Sequence, residues 1–147
     1  MNQVPESCEK ISSKYLLDGV KLDCWNILSI HFESKRALAK IEMLSYYNQF
    51  DDKSDFHLSI ISAMEMASQL SIITMLHYLG YTEKTVEIFL ANCQVKCKRS
   101  IKDPKNISAE SSYLGSRKVG DRIFSQVDTV LSDYLGGCIS ISMSGLC

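Results

Sequence analysis

The chain has 147 residues, 46% hydrophobic and 22% charged, with 16 Lys+Arg against 17 Asp+Glu and a formal net charge of −1. That is about one ordinary soluble domain, neither disordered nor collagen-like, and long enough to bury a core without disulfide staples. The near-zero charge excludes the strong positive field of a non-specific nucleic-acid binder, so no nucleic-acid partner is expected.

Residues 1–6 show no basic n-region and apolar h-region, so no secretory signal is visible. The expected setting is a reducing cytoplasm with free thiols. Cysteines stand at 8, 24, 93, 97, 138 and 147, with no C-x-x-C pair and no His at zinc spacing, so no metal site is expected. Cys147 is the last residue rather than fourth from the end, which is not a prenylation box.

Residues 6–18 place Ile11, Tyr15 and Leu16 at helical spacing, with Gly19 as a stop. Residues 24–32 and 36–44 read as strands joined by a short turn at 33–35. In the second, Ala37, Ala39, Ile41 and Met43 alternate with Lys40 and Glu42, the pattern of a sheet with one wet face. Residues 45–55 are polar and turn-like, and Ser54 or Asp55 is placed to cap the next helix.

That helix runs to about Tyr78 and ends at Gly80, and it is apolar on most of its circumference. Glu65, Gln69, His77 and Ser59, Ser62, Ser68 and Ser71 argue for a core helix rather than a membrane span, so no membrane insertion is expected. The helix must then be covered nearly all round. The rest reads as strands. In 89–101, Phe89, Ala91, Cys93, Val95 and Cys97 alternate with Asn92, Gln94, Lys96 and Lys98, the clearest period of two in the chain. Asp103-Pro104 makes a turn, 106–114 a strand, 115–120 a turn and 121–132 a strand. Gly136-Gly137 signals a hairpin into a last strand of Ile139, Ile141 and Met143 alternating with serines. One apolar helix between strands implies an α+β layer solution, an antiparallel sheet wrapped around it.

This order resembles the hotdog fold of acyl-thioester enzymes. The segment Ala63-Met64-Glu65-Met66-Ala67-Ser68-Gln69 resembles the E-A-M-A-Q helix of 3-hydroxyacyl-carrier-protein dehydratases. The tract from His57 to Gln69, followed by the basic strand from Val95 to the Pro104 turn, is similar to FcoT-like fatty acyl-CoA thioesterases. The resemblance covers the chain from about Leu22, giving a lead-in at 1–21 and a single hotdog domain at 22–147. It departs from both families at named positions. Asp51 stands where the dehydratases carry a catalytic His and where the thioesterases carry a Tyr, and Ser68 stands where the thioesterases carry an Asn before the Gln.

Four residues are the catalytic candidates. His57, read as lying in the first helical turn, is a hydrogen-bond donor or acid–base group, or a packed or solvated His. Backbone N–H groups of that turn are donors for a thioester carbonyl. Glu65 is costly in an apolar helix unless hydrogen-bonded or used; it is a general base, or an acid on the helix's wet side. Asp51 positions water or a proton, or is solvated. Ser68 lines the site in polar fashion, since no nucleophile elbow surrounds it.

Gln69 is a hydrogen-bonding candidate across the sheet or a dimer contact. Lys96, Lys98 and Arg99, with Lys102 and Lys105, form a basic cluster for the phosphate of coenzyme A or phosphopantetheine, or else a solvated edge. Tyr46 and Tyr47 read as packing, and Cys93 and Cys97 as small core residues. The resemblance implies a thioesterase-like enzyme on a fatty acyl chain carried by coenzyme A or acyl carrier protein, without cofactor, as a homodimer or higher oligomer. A dehydratase or conjugate-addition enzyme and a non-catalytic acyl-binding module are the alternatives.

Overall fold

A computed structural model describes residues 2–47 and 56–147. Six strands, β1 (Cys24–Glu33), β2 (Arg36–Ser45), β3 (Phe89–Arg99), β4 (Ile107–Val119), β5 (Arg122–Ser132) and β6 (Cys138–Leu146), form one sheet in the order β1-β2-β4-β5-β6-β3. Every neighbouring pair is antiparallel. The β1–β2 turn is only Ser34 and Lys35, both with positive φ (44° and 63°), the left-handed pair that matches the twist of a two-residue hairpin.

The short helix α1 (Lys14–Leu17) lies in the lead-in and the long helix α2 (Ile60–Tyr78) crosses the inner face of the sheet. Ser62, Ala63, Met66, Ala67, Leu70, Ser71, Thr74, Met75 and Leu76 are the buried face of α2. Ala63, Met66, Ala67 and Leu70 meet Ala39, Ile41, Met43, Ile107, Ala109, Leu131, Ile139 and Ile141 in one apolar cluster, while Met75 and Leu76 join Val127 in a second. Alanines and serines on this face let the helix approach the sheet closely, and the strand alternation supplies the larger side chains.

Several expectations change. The cap of α2 is Ser59, whose Oγ accepts from the Ser62 N–H, and not Ser54 or Asp55, which lie outside the described residues. The sheet covers α2 on one side only: Ile61, Met64, Ser68 and Ile72 are half-buried and Ile60, Glu65 and Gln69 exposed. Residues 6–18 do not form one helix. They give a 3-10 turn (Glu6–Ile11) and α1, with another 3-10 turn (Gly19–Leu22) following, and Ile11 stays 87% exposed.

The predicted turn at 115–120 is strand as far as Val119. Gly115 (φ 128°) absorbs a bulge between Tyr113 and Gly115, and the chain reverses at Gly120 (φ 67°). In β3 only Cys93 and Val95 are even partly buried, because β3 is one of the sheet's two edge strands. α2 has the length and apolar content of a membrane span, and it serves as the core helix of this sheet.

Candidate active site

Glu65, Ser68, Gln69 and Ile72 are three and four residues apart, so they share the face of α2 turned away from the sheet. With Trp25, Ile61 and Met64 they line an open groove along the helix. The Trp25 indole Nε1 donates to Glu65 Oε2 at 3.3 Å. Glu65 is exposed, so the cost of burying its charge, which made it conspicuous in the sequence, is not incurred. Gln69 is exposed beside it and does not reach across the sheet.

Ser68 and Ile72 also line a second space, an apolar cleft of about 80 Å³ between α2 and the inner sheet face. Ser71 and Met75 continue the α2 wall; Val127 and Met143 form the floor; Ile88 and Leu90 form the side at β3. The Ser68 hydroxyl points at the Met143 thioether (3.6 Å), and the buried Ser71 hydroxyl points at the same sulfur (3.9 Å). A thioether is a weak acceptor, so both hydroxyls keep most of their hydrogen-bonding capacity. Ser68 and Ile72 thus join a polar-edged groove to an apolar cleft.

The other candidates are not brought to this place. His57 is exposed and lies two residues before the Ser59 cap, in extended chain rather than in the first helical turn. There the neighbouring Leu58 N–H pairs with the Ile101 carbonyl. Asp51 lies outside the described residues. Lys96 and Lys98 share the outer face of β3, where Lys96 lines a shallow trough with Gln94, Asp128, Val130 and Ser142. The thickness of the sheet separates them from α2. Arg99 lies over the turn at Gly136, where an added Cβ would stand 3.0 Å from its Nη1. Lys105 Nζ donates to the Met43 carbonyl (2.9 Å) and lies 3.8 Å from Glu42, a structural tie.

Tyr46 packs on Phe56, and Tyr47 sits between Tyr15 and Gly19, as the packing reading expects. Burial pushes the Cys93 thiol up, away from the thiolate a nucleophile needs.

A polar cluster missed in the sequence caps α2. Asp23 Oδ2 accepts from the Tyr15 hydroxyl (2.6 Å) and the Ser62 hydroxyl (2.8 Å), while Asp23 Oδ1 accepts from the Tyr47 N–H (3.1 Å). The Ser59 hydroxyl lies 2.7 Å from the Tyr15 oxygen and accepts from the Ser62 N–H (3.0 Å). Burial, and next the bond to the Asp23 carboxylate, raise the Tyr15 phenol above its ordinary pKa. The Ser62 N–H is therefore committed to its cap and is not free to hold a substrate carbonyl. The Ser59–Ser62 spacing was the only local signal for this cluster; Tyr15 and Asp23 join it from distant sequence.

No protein-family model matches the chain, and no curated protein is similar to it in sequence. Solved structures are similar in backbone. A proposed thioesterase from Shewanella oneidensis superposes with TM-score 0.58 at 10% identity, covering 83% of this chain and 81% of that one. A phenylacetic acid degradation-related protein from Ralstonia eutropha, also a proposed thioesterase, gives 0.56 at 9% identity over 99% of this chain and 92% of its own. A third proposed thioesterase, from Lactococcus lactis, gives 0.56 at 14% identity over 82% and 90%. At such identities the likeness is one of architecture: a six-stranded antiparallel sheet wrapped on one long apolar helix. The chain is a hotdog-fold protein.

Proposed function

We propose that the protein hydrolyses acyl thioesters, with the thioester group lying over Ser68 on α2. The observation that carries this reading is the junction at Ser68 and Ile72, where a groove edged by a carboxylate and an amide meets an apolar cleft. An acyl thioester is two slender arms on either side of one reactive carbonyl, and the junction offers a separate space to each arm. The fold shared with proposed thioesterases agrees with it.

Chemically, Glu65 takes a proton from a water molecule as the water oxygen attacks the thioester carbon. The Gln69 amide and Ser68 hydroxyl are the donors within one helical turn for the oxygen that gains charge. Collapse of the tetrahedral species breaks the C–S bond, and the departing thiolate takes up the proton held by Glu65. Dehydration of a 3-hydroxyacyl chain needs an acid–base group over the α and β carbons. His57, the imidazole candidate for such chemistry, lines neither the groove nor the cleft.

A homodimer in a reducing compartment belongs to the same proposal. β3 is an unpaired edge with Phe89 and Leu90 each 57% exposed, and all six cysteines are free thiols. Release of free thiol from a panel of acyl-CoAs tests the reading. Glu65→Gln is expected to lower kcat by roughly 10²-fold, the scale of general-base catalysis, with unchanged folding because the side chain is exposed. Hydrolysis at the wild-type rate by this variant rejects Glu65 as the base. Acyl binding without any turnover supports the acyl-binding module instead.

A further inference from the structure

The two spaces that meet at Ser68 and Ile72 differ in extent. The groove on the outward face of α2, beside Trp25, Met64 and Glu65, is open to solvent along the helix. The cleft between α2 and the sheet follows the helix from Ser68 to Met75, about two turns, and stops against packed core. Met75 and Val127 at that far end belong to the second apolar cluster, with Leu76 buried beside them and Ile88 and Tyr113 packed on them.

This difference assigns the two arms of a thioester. A carrier is a large body that stays in solvent, so the arm that leads to it must leave the protein. The acyl arm is the one that terminates, and it suits the space that ends. Ile72, Met75, Ile88, Leu90, Val127 and Met143 give that space apolar walls for a hydrocarbon.

Volume then sets the length. A protein cavity of about 150 Å³ takes the six carbons of benzene, so one of about 80 Å³ takes about three. Three carbons beyond the thioester carbonyl make a butyryl chain. The Ser68 and Ser71 hydroxyls reach the Met143 sulfur at 3.6 and 3.9 Å, so the helix wall and the sheet floor are already in contact there. Ser71 is 8% exposed, and a larger side chain in its place has to extend into the cleft.

We propose that the cleft takes the acyl arm and limits the substrate to short straight chains of about four carbons, with Ser71 and Val127 setting the limit. The carrier arm lies in the groove against Trp25. This rests on the thioester reading, and it narrows the fatty acyl chain that the resemblance implies to a short one. Each methylene that enters the cleft leaves water and is worth roughly fourfold in affinity, while one beyond its end gains nothing.

The test is a chain-length series from acetyl- to decanoyl-CoA, with kcat/KM read from thiol release. For wild type the value is expected to rise about fourfold per methylene as far as butyryl and then to rise no further. Val127→Ala removes two methyl groups from the far end, so the rise is expected to continue to about hexanoyl. Ser71→Val fills part of the space, so the rise is expected to stop one carbon earlier, at propionyl. A loss of folded protein lowers every chain length by the same factor, so the readout is the break point, which moves in opposite directions in the two variants. The N-acyl analogues of coenzyme A, with an amide nitrogen in place of the thioester sulfur, give the same series by calorimetric titration without turnover.

A wild-type rise that continues through octanoyl overturns the proposal, as does a break point that stays at butyryl in both variants. If wild type hydrolyses no member of the series, the hydrolase reading fails and the amide titrations alone decide the chain limit. A break at butyryl that moves in the two variants then upholds it, and affinities independent of chain length overturn it.

Discussion

Asp133 shows how much structure a single exposed-side carboxylate can organise. Its Oδ2 accepts from the backbone N–H groups of Lys102 (2.7 Å) and Asp103 (3.0 Å), and its Oδ1 from Leu135 (3.1 Å) and Gly137 (2.7 Å). One side chain thus ties the β3–β4 connection to the β5–β6 turn. Gly137 has no room for a side chain there: an added Cβ would stand 2.6 Å from the Ile101 Cα and 2.7 Å from the Ser100 carbonyl oxygen. Burial alone raises the Asp133 pKa, but the backbone donors outweigh it and the net shift is downward. Asp103 is also held low, first by the Lys105 N–H. For such groups the unfolded chain binds more protons than the folded one in acid. Their stabilisation is therefore complete above the ordinary carboxylate value of 3.8 and is lost as pH falls through the lowered folded values. Asp133→Ala is expected to cost about 2–3 kcal/mol in urea unfolding at neutral pH, because four donors lose one acceptor. The difference from wild type should shrink when the titration is repeated near pH 3; a constant difference would contradict the assigned role.

At the level of elements, the start of α2 depends on Tyr15 of the lead-in and on Asp23 just before β1. Ser59 caps the helix, and Tyr15 and Asp23 hold Ser59 and Ser62 in place. Tyr15→Phe and Ser59→Ala are each expected to lower stability by about 1–2 kcal/mol. The double variant should cost less than the sum, since both act on the same bonds; full additivity in urea titrations would dissolve the cluster into independent contacts. This cluster also marks the boundary of what the amino-acid sequence discloses. The β1–β2 hairpin, the end of α2 at Gly80 and the alternation of β6 rest on local periodicity and turn chemistry, and each was legible. The co-facial set Glu65, Ser68 and Gln69 follows from helical spacing and was legible too. Tyr15 and Asp23 meet α2 through tertiary contacts between distant residues, which no window of sequence contains. That Lys96, Lys98 and Arg99 stand away from the groove on α2 has the same origin. Alternation groups residues by face, but only the strand order says that β3 is an edge and what lies behind each face. Gly115 misled in a different way, because a bulge glycine and a turn glycine look alike in sequence.

For the molecule as a whole, three features of the described residues leave the protomer with open surface: the free edges of β1 and β3 and the uncovered face of α2. An edge strand with an unpaired row of N–H and C=O groups is a template for another chain unless charge, proline or a covering segment protects it. β3 carries Lys96, Lys98 and Arg99 toward one end, while Phe89, Leu90 and Ala91 at the other end are exposed without charge. Apolar residues at this edge and along α2 favour a second copy of the chain over solvent. Sedimentation equilibrium at micromolar concentration is expected to give twice the 16.6 kDa chain mass. Lysines placed at the exposed edge positions, Ala91→Lys with Cys97→Lys, should shift the protein to the monomer without loss of secondary structure by circular dichroism. Thiol release by that monomer tells whether a twin completes the groove: a fall in kcat with the groove residues unchanged places part of the site on the partner, while an unaltered rate confines it to one chain. A wild-type protein that sediments as a monomer at concentrations where it is active removes the dimer from the proposal.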